Sequence, residues 1–283
     1  MKSVFIRRTI DRPRRAAQGV AMHRLAGFLC AAALFSPHWA QADPLPHRAE
    51  YTLRLGAAAN AARIGTAVED LSADCTGWHL KRDVTTEIPL TADWRISAGS
   101  KLDAEESRGG RALRYAAAQI QNGNRRETRG HVQRTDSGTR ADIIYPSGPS
   151  QIALPPATLL PVAAIGHLLE RLVGGATSFP TVMFDAEVVN DAMLVDVEPL
   201  DRNALRARPP ADRQVTLPEG KSWPISMRFT PGRAEDQKPL FTVTALVFDS
   251  GVLDRLTVKT PIVTIAADLQ SLELRKPPTC PHS

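Results

Sequence analysis

Few side chains in this chain are equipped for chemistry, and they stand far apart. Cys75 lies in SADCTGWHL (72–80), between an aspartate and a Gly-Trp pair, and Cys280 lies close to the C-terminal end. A thiol in such a setting is a nucleophile, a metal ligand, a buried apolar filler or half of a disulfide. Neither cysteine belongs to a C-x-x-C pair, which argues against a thiol oxidoreductase. CTGWH (75–79) is half a zinc site at most, with His79 as the one further ligand nearby. His167 and Glu170, in HLLE, stand one turn apart on a predicted helix and read as half a metal site or as a polar flank. Asp185, in VMFDAE, is a candidate acid–base carboxylate, with a strand-end turn residue as the plainer reading. Asp249, in FDSG, reads as a turn residue, and GGAT (174–177) as a helix stop. Trp78, Trp94 and Trp223 lie in strand-like runs and read as packing residues. The sequence contains no G-x-S-x-G, H-E-x-x-H or P-loop. It nominates no catalytic, cofactor-binding or metal-binding residue, and the expected activity is non-enzymatic, without a cofactor.

What the two cysteines do depends on the compartment. Residues 1–24 are basic, with Lys2, Arg7, Arg8, Arg12, Arg14, Arg15 and Arg24 against Asp11 alone. The apolar run LAGFLCAAALF (25–35) is too short for a membrane-spanning helix, which needs roughly 20 residues. It fits the core of a secretory signal, with Ala40-Gln41-Ala42 as the small-x-small cleavage site and either Met1 or Met22 as the start. Residues 1–42 are therefore expected to be a signal peptide and Cys30 to leave with it. The mature chain would run from 43 to 283 in the periplasm. Removing seven basic residues and one acidic residue takes the 35 basic and 30 acidic groups to 28 and 29, about one net negative charge. The basic pI belongs to the leader, and nucleic acid drops out as a partner. Two cysteines remain in an oxidising environment, where an intramolecular disulfide, an intermolecular one and free thiols are the alternatives.

Period-2 alternation dominates the mature chain. YTLRL (51–55), WHLKRDVTTEI (78–88), FTVTALVF (241–248), LDRLTVK (253–259) and PIVTIAADLQSLEL (261–274) all read as strands, although Arg82 interrupts the apolar face of the second. Turn signals at 107–110, 122–124, 136–138 and 249–251 space the strands as an antiparallel meander. One segment departs from this, PPATLLPVAAIGHLLERLVGG (155–175), where Leu159, Val162, Ile165, Leu168, Leu169 and Leu172 recur at helical spacing. Thr158 is its predicted N-cap, Pro161 fits the first turn, and Gly174-Gly175 stop it. The Pro- and charge-rich stretch 199–222 reads as a long loop. The expectation is one β domain over 43–283, about a dozen strands with a single amphipathic helix near the middle. A curved sheet closed by an apolar helix also suits a lipid- or lipoprotein-binding carrier.

Taken in order, YTLRL, DCTGW (74–78), LPPATLLPVAAIGHLLERLVGG leading to VMFD (182–185), SWPISMRF (222–229), FTVTALVFDSGVLDRL (241–256) and LELRKPPTC resemble the EipB family. These are alphaproteobacterial periplasmic cell-envelope integrity proteins, formerly a domain of unknown function. The resemblance covers nearly the whole mature chain and implies a mainly β fold, a single antiparallel, spiral-like broken β-barrel with one central helix. It implies a disulfide between Cys75 and Cys280 and a non-enzymatic role in envelope integrity. It also implies a periplasmic protein partner, for example one with tetratricopeptide repeats. Where the family tends to show Phe-Asp-Gly, this chain has Phe184-Asp185-Ala186.

Overall fold

The computed structural model describes residues 42–89, 91, 93–208, 215–232 and 238–281. The signal-peptide expectation falls on 1–42, almost wholly outside them. Eight strands precede the helix: β1 (His47–Leu55), β2 (Arg63–Ala73), β3 (Gly77–Pro89), β4 (Arg95–Ser107), β5 (Ala112–Gln121), β6 (Asn124–Thr135), β7 (Gly138–Tyr145) and β8 (Gly148–Leu154). The helix α1 (Pro161–Val173) is followed by β9 (Phe179–Asp185), β10 (Asp191–Pro199), β11 (Ser222–Pro231), β12 (Phe241–Phe248), β13 (Leu253–Lys259) and β14 (Thr264–Leu274). All fourteen form one antiparallel sheet, in the order β8-β7-β6-β5-β4-β3-β2-β1-β14-β13-β12-β11-β10-β9. The mainly β, broken-barrel expectation holds, with two more strands than the dozen read from the sequence.

That order is a ring opened at one point. Every strand pairs with its sequence neighbour, and β1 pairs with β14, but β8 and β9 remain the two edges. The chain crosses this seam through α1, and the residues just before the helix cover part of an edge. Leu159 forms a parallel bridge with Met183, donating its N–H to the Val182 carbonyl and accepting from the Phe184 N–H, both at 2.8 Å. Exposed strand edges invite mispairing, and such a cover blunts one.

Local chemistry explains the meander. At the β5–β6 hairpin, Asn122 and Gly123 both adopt positive φ (48° and 79°), the two-residue turn whose twist matches its strands. Within the strands, cross-strand register sets the packing. Leu80, Ala104, Tyr115, Gly130 and Ile143 share one interior row. Gly130 is required there, because a Cβ would lie 2.4–2.6 Å from the Tyr115 ring. The interior of β3–β8 packs with Leu160, Val162, Phe184, Ala186 and Ala192 into one core, so the sheet curls until β9 and β10 meet the face of β3–β8.

The helix differs from its expected start. It begins at Pro161 with Leu160 at the N-cap position, and no side chain of that residue caps it. The Thr158 hydroxyl bonds instead to the Pro155 carbonyl at 2.7 Å. Glu106, on β4, takes over the capping: its Oε2 accepts from Val162 N–H (2.7 Å) and its Oε1 from Ala163 N–H (2.8 Å). Of the stretch 199–222, the described parts 199–208 and 215–222 are fastened to the sheet. Leu200, Leu205 and Leu217 pack on Leu246 and Phe248. Arg206 pairs with the buried Asp268, and Arg208 with the buried Asp254 (2.6 Å).

Candidate functional site

The interior carries a charged tie between the two arms of the sheet. Arg82, which interrupts the apolar alternation of β3, points inward and donates from Nη2 and Nε to Glu69 Oε2 at 2.7 and 3.1 Å. Its Nη1 pairs with Glu187 in the β9–β10 turn. That turn is held further by Ser100 Oγ donating to Glu187 Oε1 (3.3 Å) and Gln119 Nε2 donating to the Glu187 carbonyl (2.7 Å). The Tyr115 hydroxyl donates to Asn190 Oδ1 at 2.9 Å. Behind Glu69 sits the buried His47, its Nε2 at 3.6 Å from Glu69 Oε1. Burial would raise the Glu69 carboxyl, but the charges of Arg82 and His47 outweigh it and hold it down at about 2. His47 is raised above its ordinary value: burial opposes its charge, and Glu69 with the Leu45 carbonyl prevails. The cluster sets Arg82 and His47 against Glu69 and Glu187. Arg82 bonds to both carboxylates and His47 Nε2 approaches Glu69 without a hydrogen bond, which suits a structural tie.

The outer face offers open space. Along β5 (ALRYAAAQIQ) the inward Tyr115 and Ala117 alternate with Ala116 and Ala118 on the opposite face. These small residues floor a trough between charged strands. Across it the register rows read Lys81–Asp103–Ala116–Arg129 and Asp83–Lys101–Ala118–Glu127. The charges pair beside the trough instead of over it, Lys81 with Asp103 (3.6 Å), Lys101 with Asp83 (2.7 Å) and Arg125 with Glu127 (2.8 Å). Two adjoining grooves of 660 and 870 Å³ share Asp103, Ala116 and Arg129. The second also presents Ile144, Pro149 and Gln151. The face thus joins a small-residue floor to walls of paired ions, with Ile144 and Pro149 at one end.

The EipB-like family profile matches residues 39–276. The chain belongs to the EipB-like family. Among solved structures it is similar to the crystal structure of a beta-barrel-like protein of a domain of unknown function, DUF1849, from Brucella abortus. The TM-score is 0.67 at 16% identity, covering 83% of this chain and 99% of that one. At that identity the likeness shows the fold. Among curated proteins none matches.

Within this EipB-like chain the residues singled out from the sequence fall in separate places. Cys75 and Cys280 form a disulfide, with their Cα atoms 5.4 Å apart and a sequence separation of 205. Cys75 lies in the β2–β3 turn, so the bond fastens the C-terminal tail to a hairpin corner. Asp74 builds that corner, its Oδ1 accepting from Thr76 N–H (2.7 Å) and Gly77 N–H (2.8 Å). His79 Nε2 meets Asp74 Oδ2 at 3.2 Å. His167 packs edge-on against Phe179 (6.0 Å), and Glu170 is exposed. Asp185 accepts from Val188 and Val189 N–H at 2.6 and 2.7 Å, the turn role; burial raises its carboxyl against those bonds. Ala186, where the family tends to Gly, is buried in the core. Trp78 is buried with Arg108 over its ring at 4.5 Å, and Trp223 packs under the helix. Trp94 departs from its reading: it precedes β4 and is 58% exposed. Among the described residues no three His, Cys, Asp or Glu are grouped as metal ligands. Sequence reasoning passed over the tie and the trough, whose signals were the inward Arg82 and the three consecutive alanines of β5.

Proposed function

We propose that this protein is a non-enzymatic periplasmic factor that maintains cell-envelope integrity by binding another envelope protein on the outer face of β3–β6. Membership of the EipB-like family points to an envelope-associated protein. The observation that carries the binding role is the contrast between the two faces. The inner face is filled by packed side chains and the Arg82 tie, while the alanine-floored trough stays open and charged. Interfaces of this mixed polarity suit non-obligate partners. The disulfide fits an oxidising compartment, the one expected from a signal peptide over 1–42. The resemblance suggests a tetratricopeptide-repeat protein as the partner class.

Deleting the gene should sensitise cells to detergent and cell-wall antibiotics. Wild-type protein should restore resistance, and Ala116→Trp, which fills the trough floor, should not, at unchanged melting temperature. Unaltered sensitivity after deletion defeats the integrity role, and full rescue by Ala116→Trp defeats the trough.

A lipid or lipoprotein ligand is the second reading, favoured by an apolar groove of 340 Å³ beside α1, lined by Ala157, Leu159, His167, Pro180, Val182 and Leu194. Native mass spectrometry of protein taken from its own periplasm tests it. A lipid adduct supports it, and bare protein removes it.

A further inference from the structure

The most exposed large apolar side chain among the described residues is Ile262, 93% exposed, and Trp94 is 58% exposed. Both stand at hairpin tips, Ile262 in the β13–β14 turn and Trp94 in the β3–β4 turn. Because β14 pairs with β1 and β2 with β3, these two turns flank the β1–β2 turn at one end of the sheet. Contact along that end is direct: Leu55 opposes Ile265, and Gly56 N–H donates to the Thr264 carbonyl at 2.7 Å. The middle turn adds Ala57, Ala58 and Ala62, all exposed. Neither Ile262 nor Trp94 joins any of the apolar clusters that hold the fold. Single exposed apolar residues are ordinary; two at neighbouring tips, with alanines between them, form a patch.

Each tip satisfies its own backbone. Thr260 N–H donates to the Val263 carbonyl at 2.9 Å, and its hydroxyl oxygen accepts from Ile262 N–H (3.3 Å) and Val263 N–H (3.0 Å). Thr91 does the same for Trp94, its N–H donating to the Trp94 carbonyl (3.2 Å) and its hydroxyl accepting the Trp94 N–H (3.1 Å). Between them Ala61 N–H donates to the Ala58 carbonyl at 3.0 Å. A turn whose amides are already bonded can enter an apolar medium at low cost, since little is left unpaired there. The charges beside the tips favour anions. Lys259 and Arg63 are exposed and form no ion pair among the described residues. Arg95 pairs with Glu87 at 3.7 Å, and Asp93 is the remaining acid, so three basic groups face two acidic ones. The mature chain as a whole carries about one net negative charge, so this end is locally reversed.

We infer that these three hairpin tips dock on an anionic lipid bilayer, with Ile262 and Trp94 entering the interface and Lys259 and Arg63 against the headgroup phosphates. Separate rigid protrusions need a medium that closes around each of them, which a fluid bilayer does. Tryptophan suits the headgroup level, and long cationic side chains bury their stems while keeping their charge at the phosphates. The contact uses the end of the sheet and leaves the outer face of β3–β6 open. It therefore goes beyond the protein partner proposed above, and either reading can fail without the other.

Cosedimentation of the full mature chain with vesicles tests it, with no partner protein present. Wild type should partition onto phosphatidylethanolamine–phosphatidylglycerol vesicles, much less onto phosphatidylcholine alone, and less as salt is added. Ile262→Gln should lower that partition by about tenfold. Leu274→Gln, which changes another exposed residue at the opposite end of β14, should leave it unchanged. Trp94 supplies a local readout that needs no folded Ile262 variant. Brominated acyl chains should quench the tryptophan emission of wild type and spare Trp94→Phe, whose Trp78 and Trp223 are packed into the fold. Wild type that stays off anionic vesicles, undiminished partition of folded Ile262→Gln, an equal loss in Leu274→Gln, or binding without quenching would each overturn the inference.

Discussion

His47 donates its Nδ1–H to the Leu45 carbonyl at 2.8 Å, which leaves Nε2 facing Glu69 Oε1 at 3.6 Å. A neutral imidazole would turn a lone pair toward that carboxylate, so the arrangement favours imidazolium. The two residues sit on β1 and β2, behind the arginine that ties in the β9–β10 turn.

The first prediction concerns pH. The His47 pKa is raised, so its contribution to stability is present below 6.5 and is lost as pH rises through the folded value. Glu69, held at about 2, contributes above 4.5 and loses that contribution as pH falls toward 2. Glu106, raised to about 7, adds a loss in the same direction as His47 between 4.5 and 7. Urea midpoints should therefore peak near pH 5. The gap between wild type and His47→Gln should shrink as pH rises past 6.5, and a gap that widens contradicts the assignment.

The tie itself should be measurable. Glu187→Gln removes one of two carboxylates from Arg82 and should cost about 1–3 kcal/mol in urea unfolding. A double-mutant cycle with Arg82→Met should return a coupling above about 1 kcal/mol. Additive losses would mean that the contact carries no stability.

Gly130 gives a steric prediction. Gly130→Ala drives a methyl into the Tyr115 ring and should destabilise by roughly 1–3 kcal/mol. Tyr115→Leu vacates the space, so the double variant should lose less than the sum of the two single losses. Strict additivity of the unfolding energies argues against the clash.

Cys75→Ser opens a 205-residue separation, for which the chain-entropy relation gives about 5 kcal/mol as an upper figure. Arg275 also holds the tail, donating to Asp70 at 2.6 and 3.0 Å. Calorimetry should show a lower melting temperature for the variant in oxidising buffer and equal melting in excess reductant. Equal melting in both buffers would rule out a stabilising bond.

Much of this architecture is legible in local sequence because strands and turns are short-range choices. Alternation marks YTLRL and FTVTALVF, and the Asn122-Gly123 pair marks its hairpin through left-handed backbone. The helix face is legible too, with Val162, Leu169 and Leu172 buried as its spacing requires. Trp94 is not, since a run of strand-like residues beside a turn does not say which side chains the sheet covers. Arg82 looked like a flaw in β3; its reason is Glu187, 105 residues away.

The sequence alone determined the composition of the elements, the apolar stripe of α1 and the small number of cysteines, three in all, available for pairing. These follow from backbone preferences and counting, which act over a few residues. The tertiary structure decided the opening of the ring at β8–β9, the placement of Glu106 beneath a helix that starts 55 residues later, and the alanine trough with its paired walls. Those depend on cross-strand register and curl, which bring distant side chains together and which no local pattern records.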